Sequence, residues 1–242
     1  MQINDLADEA LVVDDVKLTL ELAPLYDVKN PKRPPSAYLA GTKFSWKLPR
    51  ESSIGASKNS AKIQSKRWQC YHDVHVMQRA SKIIQRNIFN ETLFHIAVPV
   101  NYRNLIFERY YIQYYSALRA IPEHIRNRLL LEIIVENKLQ NLGDIKGKVI
   151  QLRQYSRNVG VRFQANVACD NVAFGFPASL VGTTAAESYG SAAAFEKRLA
   201  FVQQFAQRRG IASYVTDIGD HMQANQIIAT GVRFLSGSIG GL

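Results

Sequence analysis

The chain has 242 residues, 47% of them hydrophobic, and a formal net charge of +10, enough apolar material for one large α/β domain. No run approaches the roughly eighteen apolar residues that mark a membrane span, and the acidic start MQINDLADEALVVDD lacks the basic region and apolar core of a secretion signal. Two cysteines, Cys70 and Cys169, argue against a disulfide scaffold and a zinc site, so a reducing, cytoplasmic setting is expected.

Residues 1–16 read as a lead-in or linker, the end of a helix from a longer chain, and residues 17–242 as the domain. KLTLELAPLY alternates apolar and polar residues and predicts a strand over about 17–24. The prolines of NPKRPP make a turn, and SAYLAGTKFSW predicts a second strand over 37–45. Residues 43–67 carry seven Lys or Arg and one acid. They read as a solvated loop. Its charges, Lys58, Lys62, Lys66 and Arg67 among them, would alternatively meet nucleic acid, an acidic protein or an anionic membrane face.

From about residue 73, Val76, Ala80, Ile83, Ile84 and Ile88 recur at helical spacing. LFHIAVPV (93–100) predicts a strand, NLIFERYYIQYYSALRAI one long helix ended by Pro122, and LLLEII a strand. DIKGKVIQLRQYSRNVG is a weaker helix near Gly143 and Gly147, followed by the strand VRFQANV. A short strand covers about 179–181. SAAAFEKRLAFVQQFAQRRG is the clearest helix, IASYVTDI a strand, DHMQANQIIAT a helix and VRFLSG a last strand. About eight strands alternating with helices imply parallel strands joined by crossovers, in a (β/α)8-like barrel or a doubly wound sheet. In a barrel, chemistry collects at the C-terminal strand ends.

Those ends carry few reactive groups. LLLEIIVE holds Glu132 in an apolar run, where a carboxylate needs a metal, a cation, strong hydrogen bonds or a solvent opening. With Asp217 and Asp220 it would hold magnesium weakly; alternatively Lys, Arg or backbone groups hold it inside the barrel mouth. His72 and His75 have ligand-like spacing but no further ligands. No phosphate-cradling glycine loop and no Gly-x-Ser-x-Gly elbow is present. Tyr110, Tyr111, Tyr114 and Tyr115 suit either packing against the sheet or a partner surface.

Taken in order, the strand-end segments resemble the EAL-type domain, the cyclic di-GMP phosphodiesterase domain of bacteria, over about residues 17–242. LELAPLYDV is similar to its opening strand. Leu39-Ala40-Gly41 stands where Glu-Ala-Leu is expected, followed by Lys43 in place of arginine and by Trp46. HIAVPV places Pro99 where a metal-binding asparagine is expected. LLLEIIV resembles Leu-x-x-Glu-Ile-Thr-Glu, keeping Glu132 but with Val135 for the second glutamate. VRFQANV puts Gln164 and Ala165 at the paired aspartates, and the catalytic lysine falls near Val181 or Gly182. Ala-Glu-Gly-Val-Glu falls on Val215, Thr216, Asp217, Ile218 and Gly219. GVRFLSGS keeps Gly231 and Gly237, with Ser236 for glutamine.

The resemblance implies an α/β fold, a modified (β/α)8 TIM-like barrel whose first strand is antiparallel. It also implies a two-cation phosphodiester hydrolase, and Leu39, Pro99, Val135, Gln164 and Ala165 leave almost nothing to hold two cations. The expectation is therefore a domain without catalysis, metal or cofactor, working as a regulatory or scaffolding module through a protein partner. Candidate partner surfaces are the basic loop and the tyrosine-rich helix. One alternative is a non-hydrolysing cyclic di-GMP sensor using Lys43, Arg233 and Asp217; another is weak nucleic-acid binding through the basic loop. Pairing in the family makes a homodimer a further option.

Overall fold

The structure, a computed structural model, describes residues 11–13, 16–46, 66–88, 94–136, 142–164 and 177–239. Within these residues the strands are β1 (Leu11–Val13), β2 (Val16–Asp27), β3 (Ala37–Trp46), β4 (His95–Asn101), β5 (Leu129–Val135), β6 (Asn158–Phe163), β7 (Leu180–Thr184), β8 (Ala212–Ile218) and β9 (Phe234–Gly237). They pair in chain order, and β2 also pairs with β9, closing β2–β9 into an eight-stranded barrel. β2 is antiparallel to both its neighbours. Each later pairing, from β3–β4 to β8–β9, is parallel. The fold is thus the expected barrel with an antiparallel first strand. The β2–β9 ladder rules out the doubly wound alternative, whose sheet would stay open.

The helices are α1 (Lys66–Asn87), α2 (Tyr102–Ile106), α3 (Glu108–Arg119), α4 (Glu123–Arg126), α5 (Leu142–Arg153), α6 (Ala192–Arg209) and α7 (His221–Ala229). Several expectations shift. Leu11–Val13 form a strand that hairpins onto β2, so this part of the lead-in is not helical. α1 begins before residue 73 and carries His72 and His75 inside it. The expected long helix over 104–121 is two helices. Phe107 between them is extended, and its carbonyl accepts from the Tyr110 and Tyr111 N–H groups to start α3. No glycine or proline marks that break in the sequence. The short strand expected at 179–181 runs from Leu180 to Thr184, and the strand expected as VRFQANV runs from Asn158 to Phe163.

Alternation along each strand builds two apolar layers. On β5, Leu131, Ile133 and Val135 face outward, into a core shared with α1, α3, α5 and α6. Leu130 faces inward with Leu25, Leu39, Ala97, Leu180 and Tyr214, filling the barrel as side chains fill other closed barrels. A third cluster joins β8 and β9 to α6 and α7. Two glycines allow close approaches. A Cβ on Gly182 would lie 2.2 Å from the Tyr214 ring, which therefore crosses the barrel over this residue. Gly237 lies against the Ile218 backbone, where a Cβ would come within 2.2 Å of the carbonyl oxygen.

Gly182→Ala should cost about 1–3 kcal/mol of stability, read by denaturant unfolding, because the added methyl meets a buried ring. Adding Tyr214→Leu should relieve the clash, so the double variant should lose less than the two single losses summed. A second expectation concerns pH. Burial holds His75 down to about 4, with Arg79, His72 and Lys82 adding repulsion. His95 is also lowered, by burial and by Arg128, against its bond with Ser36. Each imidazole takes a proton more readily in the unfolded chain. The stability is thus full above the unfolded value of 6.5 and lost as pH falls towards about 4. Melting temperature should drop over that window, and His75→Gln should make the drop shallower.

Candidate functional site

Glu132 points into the barrel and is 1% exposed. Its charge is met by a cation from the next strand: Arg162 Nη2 on β6 lies 3.0 Å from Glu132 Oε2. Burial raises the Glu132 carboxyl above the ordinary carboxylate range; Arg162 pulls it down and Asp217 pushes it further up. Strand alternation explains the pairing. Glu132 is level with Gly160, which has no side chain, so Arg162 two residues on can reach across. Of the readings left open for Glu132, the structure selects the cation within the barrel.

Other polar groups gather around this pair. Glu132 Oε1, Arg162 Nε, Gln164 Oε1 and the Tyr214 hydroxyl are buried and have no hydrogen-bond partner among the described residues. At the end of β8, Asp217 has φ 59, a left-handed backbone that Asp tolerates better than most residues. Its Oδ2 accepts from the hydroxyls of Thr184 at 2.6 Å and Thr216 at 2.7 Å. Thr184 and Thr216 are both buried. Asp220 does not join them. It caps α7, accepting from the Gln223 N–H at 2.7 Å.

The positions that the resemblance aligns with the family's metal ligands fall as follows. Leu39 packs in the apolar filling, level with Ala97 and Leu130, one layer below Glu132. Two residues further along β3 is Gly41, which brings no side chain to the Glu132 level. Pro99 pairs in register with Glu132. β4 runs on past Pro99 to Asn101, so the asparagine at this strand end is Asn101. Asn101 caps α2, its Oδ1 accepting from the Arg103 N–H at 3.0 Å. Val135 points away from the mouth into the helix-side core. Gln164 continues the ladder through its N–H to the Val135 carbonyl and is buried. Ala165 lies outside the described residues.

The two cations of the implied chemistry need several carboxylates converging from different strands. Here Glu132 stands paired to a guanidinium, with leucine, glycine, proline and an amide at the neighbouring strand ends. Among the described residues no three His, Cys, Asp or Glu side chains gather as a metal-holding group. The described residues at this end of the barrel do not form a set that fits a pair of divalent ions.

The suggested ligand and partner residues divide. Asp217 is at the mouth. Arg233 is at the opposite end of the barrel, just before β9, where it donates to Asp27 Oδ2 at 3.1 Å and stacks on Phe234. It cannot act together with Asp217, because the length of β9 separates them. Lys43 is in β3, on the stretch leading to the mouth. Tyr114 and Tyr115 are buried, at 0% and 3% exposure, so they are core residues and not a partner surface. Tyr111 keeps partial exposure and accepts a 2.6 Å bond from Gln151 on α5. Tyr110 is also partly exposed. Lys58 and Lys62 lie outside the described residues, while Lys66 and Arg67 belong to the first turn of α1.

Two features escaped the sequence reading. Arg162 had a signal: in VRFQ it alternates with Gln164, on the strand that neighbours Glu132. The second is a polar node joining α1 to the ends of β3 and β4. Asp73 Oδ2 accepts from the Asn101 N–H and the Asn104 side chain, both at 2.7 Å. Asp73 Oδ1 lies 3.2 Å from His72 Nδ1, and His72 Nε2 lies 2.7 Å from the Thr42 hydroxyl. Nothing in the spacing of these residues announces that node.

No protein-family model matches the sequence, and no curated protein matches it. Solved structures do. Vibrio cholerae LapD S helix-GGDEF-EAL bound to c-di-GMP matches with a TM-score of 0.68 and 12% identity, over 91% of this chain and 52% of that one. The Xanthomonas citri FimX EAL domain in complex with c-diGMP matches with a TM-score of 0.65 and 15% identity, over 91% and 85%. The cGMP-bound form of the EAL enzyme Bd1971 matches with a TM-score of 0.66 and 14% identity, over 91% and 60%. The chain thus spans about 60% of the Bd1971 chain and about half of the LapD chain. These likenesses show the fold: the barrel is that of the EAL domain.

Arg162→Met should destabilise the domain by about 3–5 kcal/mol, because it leaves a buried carboxylate without its cation. Combining it with Glu132→Gln should recover most of that loss. Chemical denaturation of the four proteins in the cycle measures the coupling, and strictly additive losses would show that the pair does not act as a unit.

Proposed function

We propose that this domain belongs to cyclic di-GMP signalling and does not hydrolyse the nucleotide, acting instead as a regulatory or scaffolding module through contact with another protein. One observation carries the reading: the acid Glu132 takes a counter-charge from Arg162 on the neighbouring strand. Hydrolysis of a phosphodiester by two cations needs those ions to polarise the phosphate and to supply hydroxide near neutral pH. Leu39, Gly41, Pro99 and Gln164 contribute no carboxylate that would balance them. The signalling context draws on the fold neighbours, two of which were solved with cyclic di-GMP bound. A barrel that keeps its packing without its chemistry is suited to presenting surfaces.

Those same two complexes favour one second reading, nucleotide binding without turnover. Lys43 and Asp217 are the named groups available to it at the mouth end. Arg233 is withdrawn from it by its position beside Asp27.

Incubation with cyclic di-GMP and either magnesium or manganese, followed by chromatography of the nucleotides, should give no linear product above a no-protein control. Turnover that disappears in Glu132→Ala would falsify the proposal. Calorimetry separates the two readings: a flat titration supports protein contact alone. Saturable binding weakened by Lys43→Ala makes the domain a sensor.

A further inference from the structure

We propose that the outer face formed by α2, α3 and α5 docks an acidic, amphipathic helix of a partner protein. This rests on the reading of the domain as a protein-contact module and assigns that contact a place and a chemistry. Between α2 and α5 runs an open groove of about 460 Å³. Tyr102 and Ile106 form one wall, and Gly143, Asp144, Gly147, Lys148 and Gln151 the other. The glycines are one helical turn apart, and nothing lies within 4 Å of where a Gly147 Cβ would be. A partner backbone can therefore approach α5 closely there.

Among the described residues, four of the six exposed large hydrophobics are on these elements or at the corner between them. Ile106 is 46% exposed, Phe107 39%, Ile112 55% and Ile150 47%; of the other large hydrophobics comparably exposed, Tyr71 is on α1 and Met222 on α7. Ile150 follows Gly143 and Gly147 on one stripe of α5, at the i, i+4, i+7 spacing of a helix face. Of the four apolar residues, Ile106 lines the groove itself, and exposed apolar side chains on the elements that form a groove are usual marks of a docking surface.

Charge selects the occupant. Arg103, Arg109, Arg119, Lys146, Lys148 and Arg153 lie on these three helices, against Glu108 and Asp144. Arg119 and Arg153 are also engaged within the domain, by Tyr155 and by the Pro177 carbonyl. Lys148 lies over the Tyr111 ring and lines the groove together with Asp144, so the positive excess belongs to the surrounding helices. The excess of basic over acidic residues on these helices favours an acidic partner and opposes a second copy of this face, which would set like charges together. A helix suits the groove better than a strand, because strands β2–β9 close on themselves and this face offers no open sheet edge.

The test uses the purified chain and two fluorescein-labelled synthetic helical peptides of about 18 residues, five turns long. Both carry leucines at i, i+3, i+4 and i+7; one has glutamates on its polar face and the other lysines. A third peptide scrambles the acidic sequence. By fluorescence anisotropy the acidic amphipathic peptide should bind at least about tenfold more tightly than the other two. Gly147→Leu, which has room for its side chain in the fold, should weaken that binding about tenfold while leaving the melting temperature unlowered. Lys148→Glu should weaken it as well.

Equal binding of the acidic and scrambled peptides, or binding indifferent to Gly147→Leu, overturns the proposal. So does the absence of binding, or a dimer in light scattering that Gly147→Leu dissociates. Nucleotide turnover measured on the same preparation separates the two claims. A flat peptide titration without turnover removes this surface alone. Turnover together with groove-dependent peptide binding removes the non-catalytic reading and leaves the surface.

Discussion

The buried pair of Glu132 and Arg162 sets the terms for the rest of the barrel mouth. A carboxylate on a strand that is otherwise leucine, isoleucine and valine is costly unless a positive charge accompanies it. Arg162 supplies that charge from the adjacent strand, 3.0 Å away. It can do so because Gly160, level with Glu132, leaves space, and because the closed ring fixes which residue faces which. Among the described residues the interior pairs one acid with one base and leaves Glu132 Oε1 and Arg162 Nε without partners, with an apolar filling below and threonines and Asp217 at the rim.

This arrangement changes what the mouth can do. A cation held by covalent attachment to the chain cannot be exchanged, offers no open coordination position and makes no hydroxide. On the proposed reading, the barrel keeps the fold of its EAL neighbours without the cations that hydrolysis needs. Among the described residues, exposed apolar side chains stand on the outside where two helices break. The extended residue Phe107 is the clearest instance. It separates α2 from α3 and leaves Ile106 and Phe107 exposed at the corner, whereas the tyrosines further along α3 turn inward.

Much of the architecture was legible in the chain. Alternation in KLTLELAPLY, the unbroken apolar strands and the stripe of the 192–209 helix gave elements whose order implied parallel crossovers. Boundaries were less legible. The break at Phe107 has no glycine or proline to mark it; it divides α2, which packs on β4 and β5, from α3, which packs on α1 and α2. The register at the strand ends was also hidden. Leu39 sits a layer below Glu132, and Asn101 rather than Pro99 ends β4, since which residues share a level depends on neighbouring strands. Tyr114 and Tyr115 could not be told from Tyr110 and Tyr111 by composition, as one helical turn decides which of them meets the core.

By itself the sequence determined that a lone acid sits in an apolar strand and that the neighbouring strand ends lack carboxylates, because residue identity alone fixes the available donors. It also determined the alternation of strands and helices, because hydrophobic period is a local property. Only the tertiary structure decided what answers Glu132. Closing the ring brought Arg162, thirty residues away in the chain, to its side, and set Arg233 at the opposite end from Asp217. Charge and chemistry are written in the chain, but distance between charges exists only once the strands have paired.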